Sequence, residues 1–271
     1  MYKALQTLLL CVITIGLFTS AGMPDRKFDR ICKKAGYVYI PSGATIVDGK
    51  TVTIQGFYMS AGEITNEQYR VFLDSLTARG DSSKLKDAAV HSEKWRLPNS
   101  SMEAIEQQYF YHAAFDHYPV VNISQEGARL YCAWLEEQLQ AKGLQVKVRL
   151  PLKSEWVMAA RGGHSGNIYP WSGDHLRDSK GLYLANYKTE KSADDGGYLT
   201  TISKSYKPND YGLFNMAGNV SEWISDTGTA LGGNWWSEPE FLKIDAQPEF
   251  PMASDPTPFI GFRPVFTAVT H

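Results

Sequence analysis

The stretch Asn215-Met216-Ala217-Gly218-Asn219-Val220-Ser221-Glu222-Trp223 decides how this chain is read. It sets two amides, a carboxylate and a Gly turn within nine residues and closes on a Trp. Amide and carboxylate oxygens are hard ligands, and a Gly turn lets backbone carbonyls converge on one point. That donor set suits Ca²⁺, which takes about six to eight oxygens in flexible geometry. The same letters also fit a plain turn running into a core Trp, so the choice depends on what flanks them.

The flanks belong to a chain of 271 residues, 43% hydrophobic and 13% aromatic. That is globular composition with an aromatic excess. The net charge of −2, from 27 basic and 29 acidic residues, gives no basic excess for nucleic acid or an anionic membrane. A local patch stays possible. At the N-terminus, Lys3 precedes the apolar run Leu8–Phe18 and the small residues Thr19-Ser20-Ala21. This pattern predicts a secretory signal over residues 1–21, an exported (periplasmic or secreted) protein, and no stable membrane insertion after cleavage. Cys11 lies inside the apolar run rather than at the cleavage site, against a lipid anchor. Cys32 and Cys132 can pair in an oxidising compartment or remain thiols. No Cys-x-x-Cys offers a thiolate zinc site.

Residues 22–35 read as a polar linker, with one α+β domain over 36–268. Tyr37–Pro41 reads as a strand, and Val47–Tyr58 as a hairpin around Gly49 and Gly56. Thr65-Asn66-Glu67-Gln68 is a capping box, which predicts a helix over 66–76 with Tyr69, Phe72, Leu73 and Leu76 inward. Ser124 opens a helix over 125–141 with Ala128, Tyr131, Cys132, Leu135 and Leu139 as its buried stripe. A third, short helix spans 154–161 and stops at Gly162-Gly163. Residues 77–118 lack a period and are expected to hold short helices. From residue 164 onward the chain is rich in Gly, Asn, Asp, Pro and aromatics, with short strands at best and a small twisted antiparallel sheet overall.

Further blocks then occur in a fixed order. They are Gly62-Glu63-Ile64-Thr65-Asn66, Tyr118-Pro119-Val120-Val121-Asn122-Ile123-Ser124, Tyr131-Cys132-Ala133-Trp134-Leu135, Arg149-Leu150-Pro151 and Ala159-Ala160-Arg161-Gly162-Gly163. Tyr169-Pro170-Trp171-Ser172-Gly173, Ala185-Asn186-Tyr187, Gly232-Gly233-Asn234-Trp235 and Gly261-Phe262-Arg263 follow. The ordered set, over about residues 36–266, resembles the formylglycine-generating (sulfatase-modifying factor) domain family. The resemblance implies a variant of the C-type-lectin-like fold with structural calcium. One calcium would be held by the Asn215 and Glu222 side chains with the Gly218 and Val220 carbonyls. A second would use Asn186, the Tyr187 carbonyl, Asp195 and a carbonyl at Tyr198, where Asp195-Gly196-Gly197-Tyr198 carries one Gly more than the family pattern.

The departures bear on chemistry. Formylglycine generators oxidise a substrate Cys with two copper-binding cysteines just after the Gly-Gly-Ser-aromatic segment. Ser237 aligns with the first, and the second falls near Leu242. Neither is a soft ligand for Cu(I), so no copper is expected. Iron-dependent relatives draw ligands from an additional His-rich domain that this chain lacks, and its histidines show no ligand spacing, so no iron is expected. Tyr109–Val121 and Asp255–Val265 further resemble non-catalytic family members of Bacteroidota gliding-motility and type IX secretion machinery. Two classes of function remain open. One is a non-catalytic binding or assembly protein of the bacterial envelope, with a protein or peptide partner in a groove at Asn234, Trp235, Trp236 and Ser237. The other is a periplasmic maturation enzyme of unassigned chemistry in the same groove. Trp235 and Trp236 can equally be core.

Overall fold

The computed structural model describes residues 26–95, 102–189, 194, 197–226, 228–250 and 255–268. The predicted signal (1–21), the first linker residues (22–25) and Asp195 lie outside the described residues.

The linker reading of 22–35 needs correction where it is described. Arg26–Lys34 forms a helix, α1, that lays Phe28 and Cys32 on the main core. Strand β1 (Tyr37–Ile40) follows, then β2 (Gly43–Val47), β3 (Lys50–Ile54) and β4 (Phe57–Ser60). The hairpin sits earlier than expected: β2 pairs with β3 across Asp48-Gly49. Both turn residues have positive φ, 48° and 75°, as a two-residue type I′ hairpin requires. Gly56 is no turn; a Cβ there would fall 2.2 Å from the Tyr39 hydroxyl, so it is a close-packing position.

Helix α2 (Asn66–Ala78) begins at the predicted capping box: the Gln68 N–H donates to Thr65 Oγ1 at 3.3 Å, and the Thr65 N–H to Gln68 Oε1 at 2.9 Å. The aperiodic stretch resolves into α3 (Ser82–Asp87), a 3₁₀ turn at Ser92–Trp95, α4 (Glu103–Gln108) and another 3₁₀ turn at Ala113–Phe115. Helix α5 (Gln125–Ala141) is capped by Ser124, whose hydroxyl accepts from the Gly127 N–H at 3.0 Å. Strand β5 (Val146–Arg149) and α6 (Lys153–Ala160) complete the regular half. Among the described residues, β6 (Ser221–Trp223), β7 (Ala230–Leu231), a 3₁₀ turn at Pro239–Leu242, β8 (Ile260–Gly261) and β9 (Val265–Ala268) follow.

The main sheet is antiparallel in the order β1-β4-β9-β5, so the chain's last described strand sits between its early ones. A second sheet, β7-β6-β8, pairs β6 antiparallel with β7 and parallel with β8. Helices α2 and α5 pack Tyr69, Phe72 and Tyr131 on one side, around Phe262 and Phe266. Helix α6 buries Trp156, Val157 and Ala160 on the other, with Ile40, Phe57 and Met59. Rings stack in parallel within each layer: Tyr58 on Phe266 across the paired strands β4 and β9, and Tyr69 on Tyr131 between α2 and α5. Cys32 and Cys132 are buried thiols in the main core. Burial, with Asp29 nearby, pushes the Cys32 thiol up to about 12, so it stays protonated and inert at neutral pH. Among the described residues no helix is long and apolar enough to cross a membrane.

Candidate functional site

The 215–223 stretch is the hub of the irregular half. Asn215 and Asn219 both hold left-handed backbone, φ 51° and 64°, which short amides tolerate better than other side chains. Gly218 allows the closest crossing: a Cβ there would fall 2.2 Å from the Asn186 carbonyl oxygen. That carbonyl accepts the Asn219 N–H at 2.8 Å, and the Gly218 N–H donates to the Gly232 carbonyl at 2.8 Å. The motif therefore ties together the 186 segment, β7 and its own strand β6.

Beneath it lies a buried ionic cluster. Glu222 is 1% exposed and Arg263 is fully buried. Arg263 Nε lies 2.8 Å from each Glu222 oxygen, and Nη2 lies 2.6 Å from Oε1. Trp156 Nε1 donates to Glu222 Oε2 at 2.8 Å. Arg263 also donates to the carbonyls of Ser60, Ala61 and Phe214, so each of its nitrogens is engaged. Glu63, 2% exposed, accepts from Asn219 Nδ2 at 2.9 Å and Asn215 Nδ2 at 3.2 Å. Burial pushes its carboxyl up; Arg263 opposes that and Glu222 adds to it, leaving it at about 7. Burial disfavours the Arg263 charge, but the Glu222 carboxylate outweighs it and holds the guanidinium above its ordinary value.

This geometry tests the two calcium sets separately. Asn186 is 1% exposed; its Nδ2 donates to the Leu199 carbonyl at 2.7 Å, while its Oδ1 is buried without a partner. Gly197 wraps so close that a Cβ would fall 2.7 Å from that oxygen. A buried, unpartnered acceptor enclosed by the segment that carries Tyr198 fits a hard cation. Asn186, Tyr187 and Tyr198 would supply its oxygens. The Asn215 set fits only in part. Asn215 Oδ1 is likewise buried and unpartnered. Glu222, however, has both oxygens committed to Arg263 and Trp156, so Gly218 and Val220 would lack their expected carboxylate partner. Among the described residues no three His, Cys, Asp or Glu side chains gather as a metal site.

The predicted groove needs a larger correction. Asn234, Trp235 and Ser237 are buried at 1%, 4% and 0% exposure, and only Trp236, at 53%, faces out. Trp235 is core: it packs on Trp95 and Phe259 and donates Nε1 to the Pro258 carbonyl at 3.0 Å. Ser237 Oγ accepts the Asn234 N–H at 2.8 Å and donates to Glu249. Asn234 Nδ2 reaches the same carboxylate at 3.1 Å. Leu242 is 1% exposed, packed so that a Cβ on Gly233 would fall 2.8 Å from its Cδ2. The space beside these residues, edged by Ser221, Gly233, Phe241 and Glu249, is about 10 Å³. A hydrogen-bonded knot at Ser237 and a packed Leu242 thus fill the segment to which the resemblance assigns the family's cysteines. Trp236 alone presents a surface, with Lys188 Nζ 5.7 Å from its ring centre and paired to Glu238.

Sequence reasoning missed Glu63, Arg263 and Glu249. The first two lie in quoted blocks, Gly62-Glu63-Ile64 and Gly261-Phe262-Arg263, where an ionisable residue amid apolar neighbours was the available signal. Glu249 lies in no motif.

With this geometry in view, comparison with known proteins defines the class. The family described as "Sulfatase-modifying factor enzyme 1-like domain" matches residues 24–268, helix α1 included, and the chain belongs to it. It is 30% identical over 220 residues to the formylglycine-generating enzyme of Streptomyces coelicolor, covering 70% of this chain and 63% of that protein. It is 31% identical over 204 residues to "Inactive C-alpha-formylglycine-generating enzyme 2" of Mus musculus, covering 66% and 60%. The chain thus spans less than two thirds of these curated relatives' lengths. PvdO from Pseudomonas aeruginosa shares the fold, with a TM-score of 0.60 at 22% identity over 85% of this chain and 93% of PvdO. The α+β architecture, with small sheets and long irregular segments, is that of formylglycine-generating-enzyme-like proteins.

Proposed function

We propose that this chain is an exported, non-catalytic member of its family, a binding or assembly component of the bacterial envelope. The observation that carries this reading is the state of Ser237 and Leu242. Both are buried, one locked to Glu249 and the other packed on Gly233. A hydroxyl and an alkyl group cannot hold Cu(I), and nothing there is open to a substrate thiol. The related mouse protein named as inactive shows that the family carries members without the activity. The likeness of Tyr109–Val121 and Asp255–Val265 to gliding-motility and type IX secretion components supports the assembly role. Trp236, exposed beside the Lys188–Glu238 pair, supplies an aromatic anchor for a protein or peptide partner.

Two measurements test it. Purified protein incubated with a sulfatase-type Cys peptide, with and without copper, should leave the peptide mass unchanged. Conversion of the Cys to the aldehyde, absent from a heat-killed control, would overturn the non-catalytic reading. A photo-crosslinking residue at Trp236 should trap one discrete protein adduct in native envelopes, while the same residue at the exposed Val71 should not. Equal labelling at both positions would count against the anchor.

A further inference from the structure

A cleft of about 390 Å³ opens where the end of α1 meets the end of β4, the start of α2 and the turn at 202–204. That volume lies within the roughly 300–1,000 Å³ of small-molecule sites. The cleft shares no lining residue with the Ser237–Leu242 segment or with either calcium set. Ala35, Tyr37 and Ile202 give it an apolar wall. Its polar side chains are mostly engaged already. Ser60 Oγ donates to the Gly62 carbonyl at 2.7 Å, and Ser203 Oγ to the Glu63 carbonyl at 2.6 Å. Thr65 and Gln68 cap each other at the start of α2. Glu67 faces His117 at 3.8 Å, and the Glu63 carboxyl accepts from Asn215 and Asn219. Two lining donors have no partner among the described residues. One is the Lys204 ammonium, whose Nζ reaches to 3.7 Å from where a Gly36 Cβ would stand. The other is the backbone N–H of Gly62, a buried residue. A buried N–H without an acceptor is rare, and it marks a place where an acceptor fits.

We propose that this cleft binds a small organic acid through a single carboxylate. The carboxylate supplies what both donors lack, a counter-charge for Lys204 and a lone pair for the Gly62 N–H. One unpaired cation balances one negative charge. A second charge would meet the Glu67 carboxylate on the same wall, which selects a monocarboxylate over phosphate. The apolar wall at Ala35, Tyr37 and Ile202 takes a compact alkyl body. The inference uses no residue of the Trp236 surface and stands apart from the assembly reading.

The test is a titration of the purified protein with isovalerate, followed by amide NMR. The Gly62 and Lys204 amide signals should shift together and saturate. Neutral isovaleramide should bind at least about tenfold more weakly, because it lacks the charge that Lys204 meets. Inorganic phosphate should also bind more weakly than isovalerate. Lys204→Met alters an exposed side chain and should weaken isovalerate at least about tenfold. The equally exposed Lys50→Met should leave binding unchanged. Acetyl-glycyl-leucine, with a free or an amidated C-terminus, separates two sources of the carboxylate. Binding of the free-ended peptide more tightly than isovalerate assigns it to a chain terminus, and the reverse order assigns it to a free acid. Gly62 and Lys204 signals that stay put as isovalerate is added would overturn the proposal. So would equal binding of isovalerate and isovaleramide, undiminished binding by Lys204→Met, or a preference for phosphate.

Discussion

Glu222 shows how far a single residue can be read from sequence. Its place in a Gly turn with two amides marks it as an oxygen donor, and it is one, but the cation it holds is a guanidinium 41 residues away. Nothing within 215–223 reveals that partner, because the contact is made by β6 and β8 lying parallel. Removing one member of a fully buried pair strands the other charge, at a cost of about 3–5 kcal/mol. We therefore expect Glu222→Gln and Arg263→Met each to destabilise by that order in urea titrations. The double variant should cost clearly less than their sum; simple additivity would show that the two do not act as a pair. Glu63 makes a second prediction. Its folded value of about 7 lies above the ordinary 4.5, so the folded state keeps a proton that the unfolded chain releases. Stability should be highest below about pH 4.5 with respect to this group and fall as pH rises to about 7. The total is on the order of 3 kcal/mol. Glu63→Gln should flatten that stretch of the pH–stability curve, and an unchanged slope would assign the effect elsewhere.

At the scale of elements, legibility followed the strength of local signals. Helices α2, α5 and α6 were readable because apolar spacing and capping residues agreed, and each starts within a residue of its expected place. Thr65→Ala should cost about 1 kcal/mol by removing the α2 cap, while Thr65→Ser should cost little. Equal losses in denaturant melts would show that the methyl, not the hydroxyl, matters. Helix α1 was not readable. Six of its nine residues are charged, and Phe28 and Cys32 give one pair at helical spacing, too little to outweigh a linker reading. The hairpin was displaced for a related reason: two glycines competed for one turn. Gly49 is the turn, whereas Gly56 is there because the Tyr39 ring leaves no room for a Cβ. Whether a glycine serves conformation or packing depends on a neighbour 17 residues away, which no local pattern contains.

For the molecule as a whole, the question is what holds residues 161–260 with so few strands. Part of the answer is the cluster in which Arg263, Glu222, Glu63 and three Asn side chains join segments distant in sequence. That cluster leaves two buried amide oxygens, on Asn186 and Asn215, without donors. Each such orphan costs about 1–3 kcal/mol unless something meets it. Calcium is the partner that the family resemblance implies and that the donor chemistry at Asn186 fits. We expect added Ca²⁺ to raise the melting temperature and a chelator to lower it. At 100-fold excess over the dissociation constant, linkage gives about 2.7 kcal/mol, or about 5–11 °C at about 2–4 °C per kcal/mol for a chain of this size. Two variants separate the sites. Asn186→Leu should abolish the response if the cation sits in the 186–198 loop, and Asn215→Leu should abolish it if the cation sits over Glu222. Glu222→Gln, though destabilised, should still respond to Ca²⁺ in the first case and not in the second. Elemental analysis of the purified protein covers an ion held too tightly for the chelator. A melting temperature indifferent to Ca²⁺ and chelator, in a protein free of bound calcium, would leave the two orphaned amides to buried water and remove calcium from the account of this fold.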